Sequence, residues 1–375
     1  MRIIRNPELK GILGILLIAL VLGVILAGMS GKLEQWGLPW FTGARAFDKI
    51  IFVSDASGTR EIYAMNLDGS GRKQLTSGAR VLSAPAMTPA GNRIVFVGMC
   101  GSISHVMAIG VNGGTPYALT TSTGSKRQPE FSPDGKKLSY IEAGRVYVAE
   151  INGSNPDPVL PTHEEMAMAM SSAENRSAIP LYSAYSWAPD SAGLAGVSSQ
   201  DRLTDSLSYL PEPEGELARL TPAGMRVRVV GLEWAGKRPL LAVSLDLESQ
   251  RLLAAFDPEQ KQLSPVMGVG LAKLGAPAVS LDGSVIVVPV ETQGKGGGWA
   301  VVRADLGTER AGVLIKGRFE GLAFSPDGSR ILAARFDDKT RKRAIVTIDP
   351  ESGKVTHLTR DGDCFDAVFS PMSKR

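Results

Sequence analysis

Glu130 and Glu233 each stand one residue before an aromatic side chain, Phe131 and Trp234, in stretches that alternate like β-strands. Two carboxylates brought together could hold a cation or divide the work of general acid and base. The equivalent positions of the surrounding sequence repeat are Ala86, Ser186, Ala278, Ala323 and Val368, so the carboxylate is not a repeated feature. Buried glutamates satisfied by hydrogen bonds are therefore expected. Other chemistry is thinner still. No Gly-x-Ser-x-Gly nucleophile elbow occurs. His163-Glu164-Glu165-Met166-Ala167 lacks the second histidine of a zinc-protease helix. Gly294-Lys295-Gly296-Gly297-Gly298 lies between two strands and reads as a hairpin tip. Asn66-Leu67-Asp68-Gly69-Ser70-Gly71 lacks the closing glutamate of a calcium loop. The three histidines, His105, His163 and His357, are far apart. No catalytic residue, metal site or cofactor is expected.

Residues suited to binding are easier to find. Basic side chains recur on the connections between repeats, at Arg80, Lys126, Arg127, Arg226, Arg228, Lys273, Lys316, Arg318 and Arg360. Arg127, Arg226 and Arg318 are the candidates for an anionic ligand such as an envelope polymer, a phospholipid headgroup or an acidic protein patch. Acids on the same connections, among them Glu164, Glu165, Glu174, Asp361 and Asp363, offset much of that charge. The connection from Pro161 to Tyr182 is about eleven residues longer than its counterparts and compatible with a helix. Its Met166, Met168 and Met170 are candidates for a partner surface, because thioether side chains adapt to varied shapes.

These residues hang on a repeat. Phe131-Ser132-Pro133-Asp134-Gly135 and Phe324-Ser325-Pro326-Asp327-Gly328 are its clearest copies. Met87, Phe131, Trp187, Trp234, Val279, Phe324 and Phe369 mark successive copies at spacings of 44, 56, 47, 45, 45 and 45 residues. Asp-Gly and Asn-Gly supply the positive φ that tight hairpin turns require. Several copies close on Leu-Thr, at Leu75-Thr76, Leu119-Thr120, Leu220-Thr221 and Leu358-Thr359. A period of 40–50 residues with four short strands per unit predicts the blades of an all-β propeller. Seven blades are expected, or six if Trp187–Pro265 forms one blade rather than two. The chain ends in a lone first strand near Phe369, and Lys49–Asp55 reads as a second strand lacking a first. Pairing of the two should close the ring and remove two sheet edges.

The Phe131–Lys137 segment, the Ser54–Tyr63 segment and the Gln74-Leu75-Thr76 ending together resemble the TolB-like, WD-like propeller repeat, over residues 48–375. The resemblance implies a platform for protein contacts, often periplasmic or surface-facing. It also extends to the propeller halves of some serine peptidases, whose hydrolase domain needs a couple of hundred further residues.

Upstream, Gly11–Gly28 is an eighteen-residue run without charge, preceded by Arg2, Arg5 and Lys10. It is just long enough to cross a bilayer core of about 30 Å, and its basic flank predicts a cytoplasmic amino terminus. The expected order is a cytoplasmic flank (1–10), a transmembrane signal-anchor (11–28), a stalk (29–47) and a propeller outside the cytoplasm (48–375). A cleaved signal peptide is the rival reading; both export the propeller. Cys100 and Cys364 fall on one face of neighbouring blades, which leaves open either a disulfide or two free thiols. A net charge of +3 without basic runs argues against nucleic acid. The function expected is a binding scaffold for an envelope protein or anionic polymer. The alternative is a carbohydrate- or peptide-binding, or enzymatic, site at the channel mouth.

Overall fold

The computed structural model describes residues 49–171, 179–199, 204–222, 225–270, 272–291, 297–308 and 310–371. The predicted flank, anchor and stalk lie outside the described residues. The described strands form seven antiparallel sheets. Blade 1 combines Cys364–Phe369, Lys49–Ser54, Glu61–Asn66 and Lys73–Gln74, from innermost to outermost. Blades 2 and 3 span Ala86–Ala118 and Lys126–Leu160. The stretch that could have been one blade holds two, blade 4 at Leu181–Arg219 and blade 5 at Val227–Gly268. Blade 6 runs from Lys273 to Lys316 and blade 7 from Phe319 to His357.

The ring closes as the sequence implies. Ile50 pairs with Phe369, Ile51 with Val368, Val53 with Phe365 and Ser54 with Cys364. The Lys49 carbonyl accepts from Ser370 N–H at 2.9 Å, and the Lys49 N–H donates to Ser370 Oγ at 3.1 Å. Apolar side chains from neighbouring blades then interleave. Ile51, Phe52 and Met65 of blade 1 share one core with Ile94 and Phe96 of blade 2 and Ile345 of blade 7.

The repeated residues have repeated jobs. In the Ser-Pro-Asp-Gly turn, Ser132 Oγ donates to Asp134 Oδ1 at 2.7 Å, Gly135 N–H donates to the Ser132 carbonyl at 2.8 Å, and Gly135 takes φ +73°. The Ser132 hydrogen bond holds Asp134 below the usual carboxylate range, and Ser280 does the same for Asp282, at about 2. These aspartates are turn formers. The Leu-Thr endings are a clasp. Thr76, Thr120, Thr221 and Thr359 each accept, through Oγ1, the N–H of a residue in the third strand, Ile62, Val106, Leu207 and Ile345 respectively. In each blade the preceding leucine N–H donates to that same residue's carbonyl, at 2.7–2.9 Å. A short outer strand is thereby fastened at its end.

Most innermost strands carry a bulge, three residues before the marker in the clearest cases. Gln128 and Asp366 adopt φ +49° there, and Gly321 adopts +59°. Such a bulge bends the strand and redirects its side chains. In blade 6 the innermost strand is instead broken into Lys273–Leu274 and Ala278–Val279 around Gly275 and Pro277; proline has no N–H to give the ladder.

Two faces result. The connection face carries the outer-to-inner connections and the turns between second and third strands. The turn face carries the remaining hairpins. Both cysteines are free thiols. Cys100 is exposed, whereas Cys364 is buried and donates to Ser54 Oγ at 3.3 Å inside the closing ladder.

Candidate functional site

On the connection face, the long insertion after blade 3 folds into a helix, His163–Met170. Thr162 and Glu165 form a reciprocal cap: Glu165 N–H donates to Thr162 Oγ1 at 3.2 Å, and Thr162 N–H to Glu165 Oε2 at 2.9 Å. The acidic side chains of Glu164 and Glu165 also suit the positive end of the helix. Glu165 has a second role. It accepts from Tyr182 Oη at 3.1 Å, tying the helix to the innermost strand of blade 4. Burial, reinforced by the Glu165 carboxylate, holds the Tyr182 phenol far above its ordinary range, so it remains a donor.

This anchor decides which methionines face outward. Ala169 is buried and Met166 half-buried, whereas Met168 and Met170 are 71% and 58% exposed. Leu181, at the start of the adjacent innermost strand, is 56% exposed. The three methionines therefore differ in exposure: Met166 is half-buried, and Met168 and Met170 are presented.

The candidate arginines lie on the same face but do not converge. Arg127 is exposed, with no hydrogen bond or ion pair among the described residues. Arg226 stands 3.3 Å from Glu248. Arg318 donates to Glu320 Oε1 at 2.7 and 3.0 Å and lies 4.4 Å from the centroid of the Phe336 ring. Lys273 is likewise paired, with Glu291 at 2.7 Å. Lys126 is fully buried: its ammonium donates to the Gly124 carbonyl at 2.8 Å and lies 3.3 Å from Glu142. The face is thus a mixed-charge surface with Arg127 as an unpaired cation.

A denser cluster, which sequence reading missed, sits where blade 7 meets the closing strand. Arg343 makes a two-pronged ion pair with Asp363, at 2.9 and 2.5 Å, and its guanidinium lies 3.9 Å from the Phe365 ring centroid. Arg60 covers the same ring at 5.2 Å. Burial would raise the Asp363 carboxyl, but the Arg343 hydrogen bonds outweigh it and leave the group below its usual range. Asp366 is raised by burial despite the nearby charges of Arg343 and Arg60. These side chains lock the closing strand. The one advance signal was the acid pair Asp361 and Asp363 on the last connection.

Glu130 and Glu233 lie on innermost strands of blades 3 and 5. Burial lifts Glu130 to about 7, while a hydrogen bond from Gln128 Nε2 at 2.8 Å opposes the shift. Burial lifts Glu233 to about 8; a hydrogen bond from Val279 N–H opposes the shift and the Glu130 charge adds to it. The Gln128 amide also donates to the Tyr185 carbonyl at 2.6 Å, and Tyr185 Oη donates to the Gln128 carbonyl at 2.7 Å. Glu130 thus belongs to a network joining two blades. Among the described residues, no group of three or more histidines, cysteines, aspartates or glutamates is placed to share a metal ion.

No protein-family profile matches the chain. Two TolB homologues are similar to it: one from Chlorobium chlorochromatii, 29% identical over 32% of this chain and 35% of that protein, and one from Chlorobium luteolum, 27% identical over 27% and 34%. The chain spans about a third of the length of these relatives. Among solved structures, TolB from Acinetobacter baumannii superposes with a TM-score of 0.55 at 15% identity, over 87% of this chain and 67% of that one. A puromycin-hydrolysing peptidase from Mycobacterium tuberculosis superposes at 0.62 and 14%, over 84% and 51%. The propeller is TolB-like in fold, and the peptidase likeness is one of fold alone.

Proposed function

We propose that this chain is a membrane-tethered scaffold of the cell envelope, its propeller lying outside the cytoplasm and binding a partner protein through the connection face. The observation that carries this reading is the presentation of Met168 and Met170 by a helix capped by Thr162 and anchored through Glu165 to Tyr182. A loop without a role would not require both devices, and exposed methionines suit an adaptable protein interface. The similarity to TolB homologues supports an envelope setting. The uncharged run Gly11–Gly28 behind a basic flank supports an uncleaved anchor with the amino terminus in the cytoplasm. An anionic polymer is supported less well, because Arg226 and Arg318 already hold acidic partners.

A photo-crosslinking residue placed at Met168 or Met170 in cells should capture a discrete envelope protein. The same residue at Lys136, exposed on the turn face, should not. Placed at Arg127 on the connection face, the residue should capture the same protein, and deleting residues 164–176 should abolish that adduct. Equal capture from both faces, or capture unaffected by the deletion, would count against this reading.

A further inference from the structure

The turn face carries a second feature, independent of the helix. A cavity of about 800 Å3 opens between blades 4 and 5, over the rings of Tyr209 and Phe256. One register position distinguishes this seam from the bridged seam between blades 6 and 7, which keeps a smaller cavity of about 500 Å3. In blade 6 that position is Arg303, opposite Val287; in blade 4 it is Tyr209, opposite Ala195. Arg303 reaches across its seam, donating to the Pro350 carbonyl at 2.6 Å and pairing with Glu351 at 2.6 Å, while Asp305 steadies it at 2.7 Å. Tyr209 cannot do this. Its ring packs 5.5 Å from Phe256 and 5.6 Å from Trp234, forming a floor rather than a bridge. The seams on either side are also tied on this face, by Asp134 N–H to Ser191 Oγ at 2.9 Å and by Lys237 N–H to the Leu281 carbonyl at 2.8 Å. Among the described residues, no hydrogen bond crosses the seam between blades 4 and 5 on this face.

The walls are two-sided in charge. Blade 4 contributes Asp190, Glu212 and Glu216, and blade 5 contributes Lys237, Glu259 and Lys261. Asp190 is occupied by its own turn, accepting from Ala192 and Gly193 N–H. Glu212 and Glu216 are exposed, and their carboxylates have no partner among the described residues. Carboxylates outnumber ammonium groups in the lining four to two. Prolines in the turns of both blades stiffen the rim, which lowers the ordering cost of an occupant.

We propose that this trough receives an extended peptide segment of a partner protein, with an aliphatic or proline residue on the Tyr209–Phe256 floor and a lysine or arginine against Glu212 and Glu216. The volume lies within the range of peptide- and ligand-sized sites. The charge excess selects a basic segment over an acidic one.

The test is calorimetric titration of the full chain with two blocked synthetic pentapeptides, Lys-Leu-Pro-Lys-Leu and Glu-Leu-Pro-Glu-Leu. The lysine peptide should bind at least tenfold more tightly than its acidic twin. Glu212→Lys with Glu216→Lys should cost at least tenfold in that affinity, and so should Tyr209→Arg, which restores the bridging side chain of blade 6. Both glutamates lie on an exposed turn, so the double variant should keep its thermal midpoint and carry the test even if Tyr209→Arg fails to fold. Asp338→Lys, at an exposed turn on the opposite face, should leave the affinity unchanged. Failure of the lysine peptide to bind, equal binding of the two peptides, or an equal loss in Asp338→Lys would overturn the proposal, and none of these results bears on docking at Met168 and Met170.

Discussion

The guanidinium of Arg343 lies 3.9 Å from the centroid of the Phe365 ring while its edge grips Asp363, two residues earlier at the entry to the closing strand. An arginine from blade 7 therefore holds both an apolar and a charged side chain at the start of the strand that shuts the ring. Phe365 is 7% exposed and pairs with Val53. Phe365→Ala should cost about 3 kcal/mol in urea-unfolding free energy, from lost transfer energy and the cavity left behind. Val313→Ala, at a position 61% exposed in an outermost strand, should stay within about 0.5 kcal/mol. Similar losses at the two positions would mean that closure does not carry the stability of the ring.

The same ion pair predicts an acid limb. Asp363 sits below its usual range in the folded state, so the folded chain holds its proton less tightly than the unfolded chain does. Its contribution is complete above the ordinary carboxylate pKa of about 4 and disappears as pH falls through the lower folded value. Asp363→Asn should lower stability at pH 7 and flatten the decline between pH 5 and pH 3. Urea midpoints across that interval, for the variant and the parent chain, provide the check.

Glu130 and Glu233 predict a slope of the opposite sign. Burial first, and for Glu233 also the Glu130 charge, raise their folded values to about 7 and about 8. Between an ordinary carboxylate pKa and those values the folded chain binds more protons than the unfolded one, so stability should fall as pH rises from about 5 to about 8 and level off above. Glu130→Gln with Glu233→Gln should remove that slope and make the chain more stable than its parent at pH 8. Unchanged pH dependence in the double variant would show that neither group is buried enough to be perturbed.

How far the sequence was legible depends on how local each feature is. The Ser-Pro-Asp-Gly turns, the Leu-Thr clasps and the marker spacing are satisfied within one blade, so residue type and order revealed them. The pairing of Ile51 with Val368 was legible for another reason: one end of the chain has a surplus strand and the other a missing one. The cluster of Arg60, Arg343, Asp363 and Phe365 was not legible, because its members come from two blades and their sequence distances carry no period. Bulges hid the rest. Gln128 at φ +49° puts a bulge into its strand, so the alternation that buries Lys126 and exposes Arg127 does not carry through to Glu130 and Phe131. Tyr209 and Arg303 are equivalent only in the register of aligned strands, and that register places a packed ring at one seam and a bridging guanidinium at the other.

Register equivalence also explains an unsatisfied indole. Trp187 Nε1 donates to Ser139 Oγ at 2.7 Å in the preceding blade. Trp234, the matching residue of the next blade, is 7% exposed and its Nε1 has no partner among the described residues. Ser139 lies opposite Glu130 in its ladder, and the residue at the same place in blade 4, opposite Ser186, is Ala195. Ala195 and Trp234 share one apolar core. Ala195→Ser should give the Trp234 N–H an acceptor and raise stability by about 1 kcal/mol, the net worth of a neutral hydrogen bond. Ser139→Ala should lower it by about 2 kcal/mol, because it strands the Trp187 N–H and also takes a partner from Tyr185 Oη, 2.8 Å away. Urea unfolding of both variants separates hydrogen bonding from packing. A loss of stability in Ala195→Ser would show that the blade 4–5 seam has no room for the hydroxyl and that the indole is stranded for steric reasons.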